Sequence, residues 1–151
     1  MGIAIRHATV DDVAALLRVE DASYPEPWDD ETFRAFLAHE GTICLLVEHT
    51  DGDTHDRTEV VGYALGSVTL ATSQLLSIAV LPTRRGERLA ARLLTELIAR
   101  CTEAGAASMR LEVRSANQPA RALYRSFGFE SVALRPRYYV DDDALIMQLA
   151  F

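Results

Sequence analysis

The sequence is short of positive charge, and this shortage limits the partners it can have. Lysine and arginine total 15 against 22 aspartates and glutamates in 151 residues, which gives a net charge of −7. An acidic surface repels phosphate backbones, so we expect no general binding to nucleic acid. The same charge favours a basic partner.

Cysteine and long apolar runs are also scarce. Cys44 and Cys101 each lie in an apolar stretch, which indicates small buried side chains rather than a disulfide framework. The N-terminal residues lack the apolar core of a signal peptide, and no run approaches the roughly 18 apolar residues of a membrane helix. We therefore expect a cytoplasmic protein that binds no membrane.

The chain also has no Gly-x-Ser-x-Gly elbow and no complete P-loop, which leaves hydrolase and NTPase functions unsupported.

The length predicts a single domain over residues 1–151. Hydrophobic periodicity and turn residues predict the order β-α-α-β-β-β-α-β-α-β-β, which is typical of an α/β fold with helices on a mixed sheet. Tyr24-Pro25 should end the first helix, since proline disfavours helical geometry in the residue before it. Asp29 or Asp30 can cap the second helix, and Gly41 should end it.

A basic turn joins a strand to a helix at residues 77–90. Arg84, Arg85 and Arg88 gather there, just before an amphipathic helix whose apolar positions begin at Leu89. Free N–H groups and the dipole at a helix N-terminus attract anions, so a pyrophosphate would fit this turn. An ordinary turn with solvated arginines explains the pattern equally well.

A strand, a loop and a helix follow at residues 108–127. Strand alternation places Glu112 on the same face as Arg110 and Arg114. Glu112 is therefore either a carboxylate with a catalytic role or an exposed carboxylate that pairs with those arginines. Tyr124 lies on the following helix, where a tyrosine more often packs in the core or at its rim than donates a proton.

Together these segments resemble the GNAT superfamily of acyl-CoA N-acyltransferases. The resemblance rests on Ile78-Ala79-Val80, on Arg85-Gly86-Glu87-Arg88-Leu89-Ala90, and on Asn117 followed by Ala122-Leu123-Tyr124 and Gly128-Phe129. Within the superfamily the chain resembles the RimI type, which acetylates the N-terminus of a small-subunit ribosomal protein. That likeness adds Pro27-Trp28, Leu111-Glu112-Val113-Arg114 and Arg137-Tyr138-Tyr139. The glycine that the family has in the middle of the turn is Arg88 here.

The resemblance implies the GNAT fold, a mostly antiparallel sheet of about seven strands flanked by about four helices. It implies an acetyltransferase that uses acetyl-CoA and no metal, with Glu112 as general base and Tyr124 as general acid. The residues implied in cofactor binding are Ile78, Ala79, Val80, Arg85, Gly86, Glu87, Arg88, Leu89, Ala90, Ala91 and Asn117. Those implied in peptide binding are Trp28, Tyr138 and Tyr139, with core packing an equal explanation for Trp28.

The implied partner is a protein N-terminus, in particular that of a basic ribosomal protein, and Asp141 to Asp143 near the groove would attract it. Two alternatives stay open: an enzyme of this superfamily that acetylates lysine side chains or a small amine, and a CoA-binding module without activity. One further cluster is expected to be a polar hairpin loop rather than a metal site. It consists of His49, Asp51, Asp53, His55 and Asp56.

Overall fold

The computed structural model describes residues 2–50, 58–139 and 141–151. Its strands are Gly2–His7 (β1), Thr42–Thr50 (β2), Thr58–Thr69 (β3), Thr72–Val80 (β4), Ser108–Arg114 (β5), Glu130–Tyr139 (β6) and Asp142–Ala150 (β7). They form one sheet in the order β1-β2-β3-β4-β5-β7-β6. Only β4 and β5 run parallel, and the other neighbours are antiparallel. The expected mixed, mostly antiparallel sheet is confirmed.

Four helices connect the strands: Val13–Ser23 (α1), Asp30–Ala38 (α2), Leu89–Glu103 (α3) and Gln118–Ser126 (α4). α1 ends one residue before Tyr24, as the proline after it predicts. Asp29, not Asp30, caps α2, since its carboxylate accepts the Thr32 N–H at 2.9 Å. No helix in the described ranges is long and apolar enough to cross a bilayer.

The end of α2 differs from the prediction. The helix stops at Ala38, three residues before Gly41, and Gly41 lacks the positive φ of a helix C-cap. A Cβ at Gly41 would instead lie 2.9 Å from the Val68 carbonyl oxygen. This glycine therefore allows two backbones to approach closely, which its place after an apolar helical pattern does not reveal.

Helices cover both faces of the sheet. Tyr63 on β3 contacts both α1 and α2. Its ring centroid lies 5.5 Å from that of Phe33 on α2, and its hydroxyl donates to Glu20 on α1. A Cβ at Gly66 would touch Leu97 of α3. Residues 63 and 66 point to opposite faces of a strand. α1 and α2 therefore pack on one face and α3 on the other.

The two cysteines belong to this core. Cys44 on β2 and Cys101 on α3 are buried with free thiols, which confirms their interpretation as small core side chains. Burial raises the pKa of the Cys44 thiol to about 12. The thiol is therefore protonated and unreactive at neutral pH.

β4 and β5 separate after a short parallel pairing. They pair only over Thr72–Leu75 and Ser108–Leu111, although β4 continues along β3 to Val80 and β5 continues along β7 to Arg114. Leu76 has no partner on β3 and bulges at the point of separation, and a bulge bends and twists its strand. The strands thus open into a gap with residues 76–80 on one wall and 112–114 on the other.

Candidate active site

The β4 wall of the gap presents unpaired backbone groups. Leu81 donates its N–H to the Val61 carbonyl at 2.8 Å, and bonded pairs recur at every second residue of an antiparallel ladder. Ala79 therefore bonds to β3. Ile78 and Val80 direct their N–H and C=O groups away from β3 and into the gap.

A side chain from outside the sheet agrees with this direction. The Tyr24 hydroxyl donates to the Ile78 carbonyl at 2.5 Å, so that carbonyl faces away from the β3 ladder. Of the three expected backbone donors, Ile78 and Val80 are thus available to a ligand and Ala79 is not. The sequence predicts the strand but leaves open which alternate residues bond to its neighbour.

The start of α3 also leaves backbone donors free. The first bond inside the helix runs from the Arg92 N–H to the Arg88 carbonyl at 3.1 Å. The N–H groups of Leu89, Ala90 and Ala91 precede this bond and have no acceptor within the helix. Because α3 is 15 residues long, its dipole adds a partial positive charge at this end.

The turn before α3 keeps a glycine-like conformation at an arginine. Gly86 has φ +87° and Arg88 has φ +60°, ψ 25°, both in the left-handed region. The resemblance expects glycine at the second of these positions, and glycine adopts this region without steric cost. Arg88 therefore preserves the backbone path of the turn at the cost of local strain.

The charge of the turn is smaller than its arginines suggest. Arg84 binds Glu87 through two nitrogen atoms, at 2.9 and 3.1 Å. Three arginines contribute +3 and Glu87 contributes −1, so the turn carries +2. The side chains that keep an uncompensated charge are those of Arg85 and Arg88, and both are exposed.

Glu112 lies on the β5 wall of the gap, half-buried. Its Oε1 lies 3.1 Å from Nη1 of Arg135 on β6. Its carboxylate also raises the pKa of the Tyr138 phenol, first through a hydrogen bond and then through its charge. A carboxylate, a guanidinium and a phenol therefore come together here, although β7 lies between β5 and β6 in the sheet.

The expected alternative for Glu112, an ion pair with a neighbour on its own strand, is wrong in its partners. Arg110 binds Gln148 at 3.0 Å, and Arg114 forms a salt bridge with Asp141. Side chains that are two residues apart on one face of a strand extend in parallel. The two arginines therefore contact β7 and the residue before it, and neither pairs with Glu112. The sequence does not show which strands lie beside β5.

Tyr124 is only 6% exposed on α4 and meets the Phe129 ring edge to face, with centroids 5.8 Å apart. Burial raises the pKa of its phenol, and the nearby phenols of Tyr24 and Tyr139 raise it further. The expectation that this tyrosine packs in the core or at its rim is confirmed. The phenol is also fully protonated at neutral pH, as a proton donor must be.

Tyr139 lies between the Glu112 cluster and Tyr124. The Arg114 guanidinium stacks 4.2 Å from its ring centroid, and the Tyr138 ring meets it edge to face at 5.1 Å. Burial and then the Glu112 charge raise its pKa, while its own phenol influences that of Tyr124. Tyr139 is thus near both Glu112 and Tyr124, and Tyr138 is near Glu112.

Two other expected site residues have structural contacts. Asn117 caps α4, because its Oδ1 accepts the Ala120 N–H at 3.2 Å, and its amide NH₂ remains as a donor. Trp28 packs against Phe33 and Phe36, with ring centroids 5.7 and 5.1 Å apart. The core-packing alternative for Trp28 is therefore confirmed for part of its half-buried surface.

The aspartate run between β6 and β7 is engaged within the fold. Asp141 binds the Arg114 side chain. Asp142 and Asp143 accept backbone N–H groups at 2.9 and 2.8 Å. Asp141 and Asp142 thus tie the hairpin to β5 and the residues after it, and Asp143 closes the hairpin on Arg137. Of the three, Asp141 has its charge paired by an arginine.

Sequence reasoning missed a buried polar group beside the gap. Glu20 on α1 is 2% exposed and accepts the Tyr63 hydroxyl, which lies 2.8 Å from the Ser77 Oγ on β4. A signal was present, because Glu20 follows Val13 and Leu16 at helical spacing on the apolar face of α1. An acid on that face indicates a specific buried partner.

The cluster of histidine and aspartate expected as a hairpin loop falls mostly in residues 51–57, outside the described residues. Among the residues that the structure does describe, no group of three histidine, cysteine, aspartate or glutamate side chains is placed to hold a metal ion.

Residues 13–129 match the model of the acetyltransferase (GNAT) family. The [ribosomal protein bS18]-alanine N-acetyltransferase of Escherichia coli K12 is 32% identical over 142 residues, which cover 91% of this chain and 90% of that protein. The crystal structure of the ribosomal-protein-S18-alanine N-acetyltransferase from Escherichia coli has a TM-score of 0.87 at 30% identity, over 99% of this chain and 94% of that one. NAA60 of Arabidopsis thaliana in complex with acetyl-CoA shares the fold, with a TM-score of 0.86 at 18% identity over 99% of both chains. The chain belongs to the acetyltransferase (GNAT) family.

Proposed function

We propose that this acetyltransferase transfers the acetyl group of acetyl-CoA to the α-amino group of a protein N-terminus, and that the acceptor is a ribosomal protein. The observation that carries the proposal is the gap between β4 and β5, with free backbone donors on one wall and Glu112 on the other. The Escherichia coli relative, 32% identical, is named for N-acetylation of an alanine of ribosomal protein bS18, which supports the choice of acceptor.

The residues at the start of α3 fit acetyl-CoA. Their free N–H groups, the helix dipole and the charge of +2 suit a pyrophosphate, and the Asn117 NH₂ suits an amide oxygen of the pantetheine arm. Bound acetyl-CoA supplies an acetyl group activated as a thioester. The residues proposed to hold the pyrophosphate are Arg85, Gly86, Glu87, Arg88, Leu89, Ala90 and Ala91.

The backbone of β4 is proposed to bind the acetyl carbonyl. The N–H groups of Ile78 and Val80 point into the gap and are fixed by the ladder between β3 and β4. Fixed donors aimed at an oxygen that gains negative charge lower the barrier, because they need no reorganisation during the reaction.

Glu112 is proposed as the base that accepts a proton from the attacking amine, directly or through water. At pH 7, deprotonating an α-amino group with a pKa near 8 costs about 1.4 kcal/mol, whereas lysine with a pKa near 10.4 costs about 4.6 kcal/mol. A partly exposed carboxylate is a modest base. It is therefore better matched to an N-terminus than to a lysine side chain.

Tyr124 is proposed to serve the leaving group. The amine nitrogen bonds to the carbonyl carbon, the carbon–sulfur bond breaks, and the electron pair of that bond stays on sulfur. The raised pKa of Tyr124 keeps the phenol protonated but makes complete proton transfer costlier. Its first contribution is therefore a hydrogen bond to the developing thiolate, which then takes a proton from the phenol or from water. Glu112 releases the proton of the amine to solvent, and solvent returns a proton to Tyr124 where the phenol gave one up.

The peptide is proposed to lie between Trp28 on one side and the β6–β7 hairpin on the other. Tyr138, 52% exposed, and Tyr139 offer aromatic surface there. Asp141 is paired with Arg114, so attraction of a basic peptide would come from Asp142, Asp143 and the net charge of −7.

A peptide with a free α-amino group, basic residues and one internal lysine tests the proposal. After incubation with acetyl-CoA, fragmentation by mass spectrometry should place the acetyl group on the α-amine alone. The chain contains no lysine, so acetylation of its own side-chain amines adds no background. Acetylation of the internal lysine, or of free polyamines in preference to the peptide, would favour the small-amine or lysine alternative. Acetyl-CoA binding without turnover on any amine would favour the inactive module.

A further inference from the structure

The mechanism makes no use of Glu20, a carboxyl side chain that is buried among the described residues. Glu20 is 2% exposed, and both of its carboxylate oxygens are bonded to other segments. Oε1 accepts the Tyr63 hydroxyl from β3, and Oε2 accepts the Trp28 N–H at 2.9 Å. Burying a carboxylate is costly, and an apolar residue would fill this position on α1 with no such cost.

These contacts continue to the β4 wall of the gap. The Tyr63 hydroxyl lies 2.8 Å from the Ser77 Oγ, and the next residue, Ile78, accepts the Tyr24 hydroxyl at 2.5 Å. Tyr24 and Trp28 lie near the two ends of the loop at residues 24–29, between α1 and α2. Both ends of this loop are therefore bonded, directly or through Glu20, to the part of the sheet that faces the gap.

The loop has few other means of holding its shape. Pro25 and Pro27 have no N–H to donate, and the Tyr24 N–H is used in closing α1, on the Glu20 carbonyl at 3.0 Å. The Trp28 N–H is thus one of few donors that can fix the loop, and its acceptor is the Glu20 carboxylate.

We infer that Glu20 is a positioning residue for the acceptor side of the reaction: its buried carboxylate holds the 24–29 loop in register with the open half of β4. The inference rests on the proposed function, since it takes Trp28 on this loop as a wall of the peptide groove. Pyrophosphate binding involves the other end of the site, at the start of α3. Loosening the loop should therefore weaken acceptor binding and leave acetyl-CoA binding unchanged.

The informative change is Glu20→Met. Methionine fills the same volume and can bury without a partner, while the Tyr63 hydroxyl keeps Ser77, so the fold should be retained. Only the Trp28 N–H loses its acceptor. We expect the KM for the acceptor peptide to rise about tenfold, with the Kd for acetyl-CoA, measured by calorimetry, within about twofold of the wild type.

Glu20→Gln is the conservative rescue. A glutamine can accept the Trp28 N–H with its oxygen and donate its NH₂ to the Tyr63 oxygen, while Tyr63 turns its proton to Ser77. The acceptor KM should then stay within about threefold of the wild type. Ser73→Ala is the matched control, since it removes a buried polar group from the end of β4 that pairs with β5. The Ser73 hydroxyl donates to the Ser108 carbonyl at 2.6 Å. The KM for the acceptor peptide and the Kd for acetyl-CoA should both be unchanged in that variant.

Three results would overturn the inference: an unchanged acceptor KM in Glu20→Met, an equal loss of acetyl-CoA binding, or a Glu20→Gln variant as impaired as Glu20→Met. If Glu20→Met does not fold, Tyr24→Phe tests the other end of the loop, because it removes the hydrogen bond from the Tyr24 hydroxyl to the Ile78 carbonyl. The Tyr24 side chain is 38% exposed, so this change should not disturb the core. It should raise the acceptor KM about threefold, and an unchanged KM would count against the inference. A wild-type protein that acetylates no peptide would refute the proposed function. An active wild type with an insensitive Glu20 would refute only this inference.

Discussion

Replacing Arg88 by glycine should stabilise this protein. Arg88 has φ +60° immediately before α3, a conformation that costs a non-glycine residue about 1–2 kcal/mol. Glycine removes that strain but adds flexibility to the unfolded chain, which returns about 0.4–1 kcal/mol. The difference is a net gain of about 0.5–1 kcal/mol in the free energy of unfolding. For a chain of this length it corresponds to a rise in Tm of about 2 °C.

The assay is thermal and urea denaturation of three variants beside the wild type. Arg88→Gly should be more stable, and Arg88→Ala should equal the wild type because alanine keeps the strain. Arg92→Gly, an exposed arginine inside the same helix with ordinary helical dihedrals, should lose about 1 kcal/mol. Both Arg88 variants should bind acetyl-CoA about two- to fivefold more weakly, because each removes one exposed positive charge from the turn.

The signs of the stability changes in Arg88→Gly and Arg92→Gly test whether the backbone of Arg88 is strained. Destabilisation of Arg88→Gly by the same amount as Arg92→Gly would show that Arg88 is not strained. An unchanged affinity for acetyl-CoA in both Arg88 variants would show that this side chain does not contribute to the anion site, even if the backbone of the turn does.

Two other predictions concern catalysis and pH. Glu112→Gln and Tyr124→Phe should each lower kcat by about 10²-fold at pH 7 in steady-state assays, with little change in the Kd for acetyl-CoA. The kcat of the Glu112 variant should recover partly above pH 8, where an α-amine loses its proton unaided. A parallel loss of affinity for acetyl-CoA would contradict these roles. Asp12 accepts two hydrogen bonds from Arg6, at 2.7 and 2.9 Å, and that contact lowers its pKa from 3.8 to about 2. A depressed carboxyl pKa stabilises the fold above pH 4 and loses this effect as pH falls from 4 to 2. Asp12→Asn should therefore lose about 1–2 kcal/mol at pH 7, after allowance for the exposed Arg6, and urea titrations near pH 2 should show only a small part of that difference from the wild type. A constant difference at both pH values would exclude the ion pair as its cause.

The elements were predictable because their signals are local. The 3.6-residue spacing from Leu89 to Cys101 gives α3, and Pro25 gives the end of α1. The role of Gly41 was not predictable, since a side chain there would collide with the carbonyl of Val68, which lies on a strand distant in sequence. Local patterns show where an element begins, but they do not show which backbone lies beside it.

The site divides in the same way. Its motif residues could be named as candidates from the sequence, because the turn before α3 and the strand with Glu112 are contiguous segments. The partners of Glu112 could not be predicted, since Arg135 and Tyr138 reach it from β6, and β7 lies between β5 and β6 in the sheet. The sequence offers Ala79 as a backbone donor alongside its neighbours, and only the register between β3 and β4 shows that its N–H is already bonded.

Mass spectrometry of protein N-termini in cells with and without this gene tests the central claim most directly. The account predicts that a small set of N-termini, a ribosomal protein among them, loses its acetyl group when the gene is absent. It also predicts that the group returns with the wild-type gene and not with Glu112→Gln. Unchanged N-termini, together with altered acetylation of lysine side chains or of free amines, would contradict it.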